Sequence, residues 1–286
     1  MLYLDNTTRP WRETYNFPEV KAIREKIRDS FKDLVFDDKY HQYYLHGKNI
    51  PSVSKIVERF SEPFDKEVMS QVCYEKYYED PTSKYYHMTA EEIKKSWDDN
   101  NRQANEQGTY AHAFAENAMR YMVGDYDAIE DSFKDRLVDG KFYARTGFEE
   151  AVVKFWKDLP DEYVPVMVES RVYATCGTDE AVYAGTFDLL LYCTIPGKEG
   201  LVLGDYKTNQ DLYKNYKEKK LLKPFDKWLD NPRGHYMIQQ SAYQRALNEI
   251  GLTVKGKRLV WIKNDGTYQI VKLTEKIIPL LLESLT

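Results

Sequence analysis

Cysteine is scarce in this sequence of 286 residues. The three cysteines, Cys73, Cys176 and Cys193, are scattered and show no spacing typical of a metal site. An odd number of unclustered cysteines argues against a disulfide-stapled scaffold and is typical of a reducing compartment. We therefore expect a protein whose fold does not depend on disulfides.

Long apolar runs are also missing. The N-terminal stretch MLYLDNTTRPWRE lacks the apolar segment of a signal peptide. No uninterrupted apolar run approaches the ~20 residues that are needed to span a bilayer. The sequence therefore predicts a cytoplasmic protein with no membrane partner.

An overall excess of positive charge is absent, since the formal net charge is -5. A local patch can still differ from the average. Residues 207–235 contain eight basic and four acidic side chains, which gives this stretch a balance of +4. Two interpretations stay open: the stretch is an ordinary solvated surface, or it binds DNA phosphates through Lys217, Lys219, Lys220 and Lys223.

The order of the predicted elements indicates an α/β protein. A capping box at Thr89 and Glu92 predicts the start of a long helix with a break near Gly108. Helical and alternating apolar patterns then predict a helix, three strands, a helix and a final hairpin, which favours a mixed sheet with helices on both faces. The predicted bounds of these elements are 141–158, 164–174, 182–193, 201–207, 234–250 and 257–273.

The first part of the chain is predicted to be an added arm. It contains an amphipathic helix at 18–33 and a hairpin at 34–50, and it precedes the capping box. We therefore predict two parts, an N-terminal helical and hairpin arm of residues 1–88 and a core of residues 89–286.

Two aspartates interrupt the apolar strands. Asp188 follows Gly-Thr-Phe in one strand, and Asp205 lies in Gly-Asp-Tyr-Lys at the end of the next. If the strands pair, two bare carboxylates at ~4 Å repel by about 4 kcal/mol at an effective dielectric near 20, and a divalent cation reverses the sign. Oxygen ligands suit Mg²⁺ or Mn²⁺, and Lys207 shares a strand face with Asp205. The alternative is an exposed strand end with a structural Asp–Lys pair.

These residues resemble the PD-(D/E)XK nuclease superfamily, specifically its RecB-like branch. The likeness rests on Gly-Thr-Phe-Asp188 and on Gly-Asp205-Tyr-Lys207. Further motifs follow in family order over residues 105–245: Gly108 to His112 on an upstream helix, Glu169 in a first core strand, and Gln239 to Tyr243 on a downstream helix. Segments of the arm around His41-Gln-Tyr43, Gly47 to Ser54 and Pro63 to Asp65 are similar to phage-type exonucleases of this branch.

The resemblance implies a restriction-endonuclease-like core with a mixed central sheet flanked by helices, together with a set of site residues. Asp188 and Asp205 would bind the metal together with the carbonyl of Tyr206, and Lys207 would hold or activate water. His112 would be a further ligand, although a lone histidine on a helix is more often a packing residue. Some relatives carry a four-cysteine iron–sulfur cluster, which three cysteines cannot supply, so no such cluster is expected.

The supporting residues have open alternatives. Glu116, one turn beyond His112, either supports the metal or pairs with a basic residue. Glu169 is either linked to the metal or the partner of Arg171. Gln239 and Tyr243 either lie near the site or serve as a surface residue and a packing residue. No role is assigned to His41, His46, His87 and His235.

The expected function is that of a DNA exonuclease that uses Mg²⁺ or Mn²⁺ and acts on single strands or ends. One alternative is a structure-specific or sequence-specific endonuclease. A second alternative is a non-catalytic DNA-binding subunit on a nuclease scaffold, although the complete set of Asp188, Asp205 and Lys207 argues against it. Protein partners cannot be inferred from these residues.

Overall fold

The structure is a computed structural model that describes residues 2–285. Its helices are α1 (Trp11–Thr14), α2 (Pro18–Phe31), α3 (Val53–Glu58), α4 (Lys66–Tyr77), α5 (Ala90–Val123), α6 (Gly147–Asp158), α7 (Pro232–Glu249) and α8 (Ile278–Leu285). Its strands are β1 (Tyr3–Leu4), β2 (Leu34–Asp37), β3 (Gln42–Leu45), β4 (Lys48–Ile50), β5 (Leu137–Val138), β6 (Lys141–Tyr143), β7 (Tyr163–Ala174), β8 (Tyr183–Cys193), β9 (Gly200–Lys207), β10 (Val254–Ile262) and β11 (Tyr268–Lys272).

A five-stranded mixed sheet forms the centre, in the order β11-β10-β9-β8-β7. Strands β9 and β10 are parallel, because α7 crosses over between them, and the other neighbours are antiparallel. One face of the sheet packs on the apolar side chains of α6 and of α5 from Ala111 onwards, and the other face packs on α2, α3, α7 and α8. The predicted α/β class and mixed sheet are therefore confirmed.

Two small sheets accompany the central one. Strands β2, β3 and β4 form an antiparallel meander, where the sequence predicted a single hairpin, and β1, β6 and β5 form the other small sheet. The meander is joined to β8, since Ala184 donates its backbone N–H to the carbonyl of Pro51 at 2.9 Å. This contact ties the segment after the meander to β8, an inner strand of the central sheet.

The contacts divide the chain into two compact units. One unit contains residues 1–61 and 111–286, and the other contains residues 62–110. The predicted boundary between residues 88 and 89 differs from this division. The physical reason is that α2, the meander and α3 bury their apolar side chains against β7, β8 and α7 rather than in a separate arm.

Two capping boxes begin helices. Glu92 accepts the backbone N–H of Thr89 at 2.8 Å and donates its own N–H to the Thr89 hydroxyl at 3.3 Å, which confirms the predicted start of α5. The same arrangement of Thr146 and Glu149 starts α6, later than the predicted residue 141. Residues 141–143 instead form β6, which pairs with β1.

The predicted break in α5 near Gly108 is wrong, because the helix continues from Ala90 to Val123. A single glycine costs a helix only about 1 kcal/mol, which its neighbours can offset. Within residues 2–285, no helix is both long and apolar enough to cross a membrane.

Candidate active site

The two predicted acids lie where strands β8 and β9 separate. The antiparallel pairing runs from Cys193 and Gly200 to Leu189 and Gly204. At the next position the backbone N–H of Tyr206 donates to Asp188 Oδ2 at 2.8 Å. The carboxylate of Asp188 thus occupies the opening between the strands, close to Asp205.

A glycine makes room for the helix behind this opening. A Cβ on Gly185 would lie 2.6 Å from Cε1 and 3.2 Å from the hydroxyl of Tyr243 on α7. The ring of Tyr243 is buried, and its hydroxyl accepts a hydrogen bond from Gln239 Nε2 at 3.3 Å. The glycine of Gly-Thr-Phe-Asp and the Gln–Tyr pair of α7 therefore form one packed unit beside the acids.

His112 reaches the acids from α5. Its Nδ1 lies 3.2 Å from Asp188 Oδ2, and its ring meets that of Tyr206 with centroids 6.3 Å apart. Small neighbours on the helix, such as Ala111 and Ala115, are fully buried and let α5 approach the sheet closely. The His112 side chain keeps 27% of its surface exposed, against 11% for Asp188, so it lies on the open side of the cluster.

Glu169 reaches the same point from β7 through an unusual backbone conformation. Strand β7 pairs Val168 with Leu189 and Ser170 with Phe187, which places Glu169 level with Asp188. Its φ is 44°, in the left-handed region that a non-glycine residue rarely adopts and that costs about 1–3 kcal/mol. A strained residue in a strand beside a cluster of ionisable groups is typical of a functional site.

Three side chains at this point offer ligand atoms to one cation. One donor atom each from His112, Glu169 and Asp188 lies within 4.8 Å of the other two. Two carboxylates suit Mg²⁺, and the imidazole also admits Mn²⁺. The chemistry of the donors therefore fits the divalent cation that the sequence predicted.

Asp205 and Lys207 form an ion pair beside this group. Asp205 is 1% exposed, and its Oδ2 lies 2.6 Å from Lys207 Nζ. Lys207 is therefore the charged partner of a fully buried carboxylate oxygen. Asp205 is not among the three mutually close donors, and its role as a ligand stays a prediction, as does that of the Tyr206 carbonyl.

The acids differ in their pKa values because they are buried together. Burial and the Asp188 carboxylate raise the pKa of Glu169 to about 8 and that of Asp205 to about 7. Burial also acts to raise the pKa of Asp188, but His112, the charge of Lys207 and the N–H of Tyr206 together outweigh it, and the net shift is downward. For His112, burial lowers the pKa and Asp188 raises it more. The cluster thus holds fewer negative charges than it has acids until a cation compensates them.

The pKa of Glu169 predicts a pH dependence of stability in the metal-free protein. An acid whose pKa is raised from 4.5 to about 8 on folding contributes stability below pH 4.5 that is lost as the pH rises through about 8. Because Glu169→Gln removes this titration, the variant should be more stable than the parent at pH 8.5 and should differ less at pH 5. A pKa shift half as large as this one corresponds to a gain of about 2 kcal/mol in the free energy of unfolding, since one pKa unit is worth about 1.4 kcal/mol.

Urea unfolding in EDTA at the two pH values measures this effect. Glu25→Gln, on the exposed side of α2, is the control for loss of an acid. An equal pH dependence in the parent and in Glu169→Gln would show that Glu169 does not titrate in this range.

The other predicted residues divide between the site and its surroundings. Glu116 pairs with Arg120 one turn further along α5, which favours the second of its two predicted roles. Arg171 lies over the ring of Phe36, 5.7 Å from its centroid, while Glu169 joins the site. The four lysines of the basic stretch are exposed, on the loop between β9 and α7: Lys217, Lys219, Lys220 and Lys223.

The remaining histidines lie elsewhere. His41, His46 and His87 have positive φ values in turns. His235 Nε2 lies 2.6 Å from Asp230 Oδ1 and 3.0 Å from the Ser61 hydroxyl. Both contacts use the same ring nitrogen, so these residues do not form the relay of a serine hydrolase, in which the acid and the serine contact different nitrogens.

Sequence reasoning missed two aromatic residues of the site. Tyr236 places its ring centroid 4.3 Å from Lys207 Nζ. Tyr43, in β3, shares a hydrogen bond of 2.9 Å with the Thr186 hydroxyl, two residues before Asp188. Tyr43 belongs to the His41-Gln-Tyr43 segment of the resemblance, which gave it no role, and no local pattern distinguishes Tyr236 among the 24 tyrosines.

Comparisons with known proteins assign neither a family nor a function to the chain. No protein-family model matches the chain, and no curated protein matches it. A crystal structure of a "putative exonuclease" from Eubacterium rectale shares 12% identity with a TM-score of 0.34, over 95% of this chain and 81% of that chain. A likeness at this level carries no argument about function, which must come from the site itself.

Proposed function

We propose that the chain is a divalent-metal-dependent deoxyribonuclease that hydrolyses phosphodiester bonds, as an exonuclease acting on DNA ends or single strands. The observation that carries this proposal is the meeting of His112, Glu169 and Asp188 within 4.8 Å, beside the ion pair of Asp205 and Lys207. Carboxylates that converge with a lysine suit a reaction in which negative charge develops on phosphate.

The cation would be Mg²⁺ or Mn²⁺, held by Asp188, Asp205, Glu169 and His112 with the carbonyl of Tyr206. When bound, it would supply positive charge to the phosphate as the transition state forms. Asp188 already accepts the N–H of Tyr206, which fixes its carboxylate at the mouth of the strand opening. His112 presents Nδ1 to Asp188, so rigid elements on three sides hold the donors in place.

Lys207 would act on the attacking water. Its ammonium group has no lone pair, so it can donate N–H to the water oxygen or to a phosphate oxygen, and it orients the nucleophile rather than removing its proton. The pKa of Lys207 is raised by the carboxylates of Asp205 and Asp188, which outweigh burial, and this keeps the group charged. The water oxygen would bond to phosphorus as the bond to the leaving oxygen breaks; the proton that the water loses would pass to solvent, and the leaving oxygen would take up a proton from solvent.

The arrangement also supports membership of the RecB-like nucleases. The core residues from Asp188 to Tyr243 that carry the resemblance, together with His112 and Glu169, contribute to one site in the unit that contains residues 111–286: His112 on α5, Glu169 on β7, Asp188 on β8, Asp205 and Lys207 on β9, and Gln239 and Tyr243 on α7. The strained backbone of Glu169 favours its link to the metal.

The loop after β9 is the proposed contact for DNA phosphates. It begins directly after Lys207 and is ordered by backbone contacts such as Leu221 N–H to the Trp228 carbonyl at 3.0 Å. Changing the four exposed lysines to alanine should weaken binding to a similar extent for all sequences. Each lost phosphate contact should reduce the salt slope by about 0.7 on single strands, about 3 in total. The four are Lys217, Lys219, Lys220 and Lys223.

Binding isotherms at several salt concentrations, in Ca²⁺ to limit cleavage, measure this slope. The matched control changes four exposed lysines of α2 and the segment that follows it, which removes the same charge elsewhere: Lys21, Lys26, Lys32 and Lys39. If both variants bind with the parent's salt slope, the loop is a solvated surface.

End-labelled linear DNA and closed circular DNA test the proposed function. With Mg²⁺ or Mn²⁺, linear DNA should be degraded and circles should persist, and EDTA should abolish the activity. Cleavage of circles would favour the endonuclease alternative. Binding without cleavage in either metal would favour the non-catalytic alternative, and full activity in EDTA would exclude the metal mechanism.

A further inference from the structure

The aromatic ring of Tyr236 lies against the ammonium group of Lys207. Tyr236 is in the first turns of α7, and its ring centroid is 4.3 Å from Lys207 Nζ. A cation at this distance from an aromatic face is attracted by the electron-rich ring. Lys207 therefore has two charge contacts in the structure, the ring of Tyr236 and the carboxylate of Asp205 at 2.6 Å.

The ring is held by the loop after β9 and by β10. The Tyr236 hydroxyl donates to Asn209 Oδ1 at 2.8 Å, on the loop after β9. The carbonyl of Asn209 accepts the indole N–H of Trp261, on β10, at 2.6 Å. The ring also packs against an apolar cluster that contains Leu212 and Trp261. Tyr236 is thus a fixed surface toward which the lysine side chain extends.

The two contacts of Lys207 respond differently to a cation. A divalent ion bound by Asp205 and Asp188 neutralises the carboxylate charge that attracts the Lys207 ammonium group. It also repels that group directly, because both are positive. The aromatic ring carries no net charge and binds no Mg²⁺, so its attraction for Lys207 remains. Without it, the flexible four-carbon side chain would have no partner that opposes the repulsion.

We propose that Tyr236 is the positioning residue of Lys207, whose ring keeps the ammonium group at the phosphodiester when Asp205 is engaged by a cation. This inference rests on the proposed nuclease function. In this proposal the ring of Tyr236 orients Lys207 and does not bind DNA. Loss of ring electron density should therefore lower kcat and leave KM nearly unchanged.

Graded ring substitution tests the proposal. Tyr236→Phe loses the hydrogen bond to Asn209 but keeps the ring and its packing on the apolar cluster, so it should retain most activity, whereas Tyr236→Leu should lower kcat about 5- to 30-fold, the range of a cation–π contact of this type. Replacement by phenylalanine with one, two or three ring fluorines should lower kcat stepwise, because fluorine withdraws electron density at nearly constant size. The control is the same series at Tyr40, an exposed ring that lies 5.0 Å from Lys39 Nζ.

A measurement in metal-free protein separates this inference from the nuclease proposal. The Nζ–H proton resonance of Lys207, identified by its absence in Lys207→Arg, should be shifted upfield by the ring current in the parent and in Tyr236→Phe. The shift should be lost in Tyr236→Leu. An active parent with kcat independent of fluorination, or an unshifted lysine resonance, would overturn the positioning role. An inactive parent with a shifted resonance would instead count against the nuclease assignment alone.

Discussion

Lys207→Ala should lower the single-turnover rate of DNA cleavage by about 10²–10³-fold, the loss typical of removing one preorganised donor to a developing charge. In the proposed mechanism, Lys207 acts only through its ammonium group, which donates N–H to the water or to a phosphate oxygen. Its loss also leaves Asp205, which is 1% exposed, without its ion-pair partner. The effect on stability should therefore depend on pH.

The direction in which the stability of Lys207→Ala changes with pH follows from the pKa of Asp205. Its pKa is raised to about 7 with Lys207 present, and removal of the lysine raises it further. At pH 6 the acid is protonated and the melting temperature should stay near the parent's, whereas at pH 8.5 a buried unpaired charge should lower it. Lys272→Ala, an exposed lysine on β11, is the matched control. Normal cleavage by Lys207→Ala at pH 6 would make Lys207 a structural residue.

His112→Ala should reduce the affinity for Mn²⁺ by at least about 10-fold, since loss of even an outer partner of a metal costs 10- to 100-fold. The imidazole lies 3.2 Å from Asp188 Oδ2 and keeps 27% of its surface exposed, on the open side of the cluster. Turnover should fall with metal affinity, and excess Mn²⁺ should restore it better than Mg²⁺.

A packing histidine would behave in the opposite way. The melting temperature of His112→Ala would then fall, while cleavage per folded molecule would stay near the parent's. Both quantities are measured on one preparation, with His235→Ala as the control for loss of a half-buried histidine. A stable and fully active His112→Ala protein would remove His112 from the site.

Local patterns predicted the part of the site that lies in regular elements. The three long strands were located to within one residue of β7, β8 and β9, because apolar residues bounded by turns define strands well. Asp188 and Asp205 were recognisable since a carboxylate in such a run has a cost that needs a partner. The structure adds that they lie where the ladder ends, which no single strand pattern contains.

The remaining features depend on contacts between distant parts of the chain. Glu169 reaches the site through a left-handed backbone conformation with a φ of 44°, and no local sequence pattern predicts that conformation. The ring of Tyr236 meets Lys207 only because α7 crosses between β9 and β10. The division at residues 61 and 111 follows from packing of the first segment on the sheet, which charge and composition did not reveal.

A titration of Mn²⁺ into metal-free protein tests the central claim most directly, because it requires no knowledge of the DNA substrate. The comparison is between the parent and Asp188→Asn, a change that keeps the size of the side chain and an oxygen to accept the Tyr206 N–H. The account predicts saturable binding by the parent and affinity at least about 10-fold weaker in Asp188→Asn. Equal dissociation constants for the two proteins would contradict it, because the cation would then be bound away from the cluster of His112, Glu169 and Asp188.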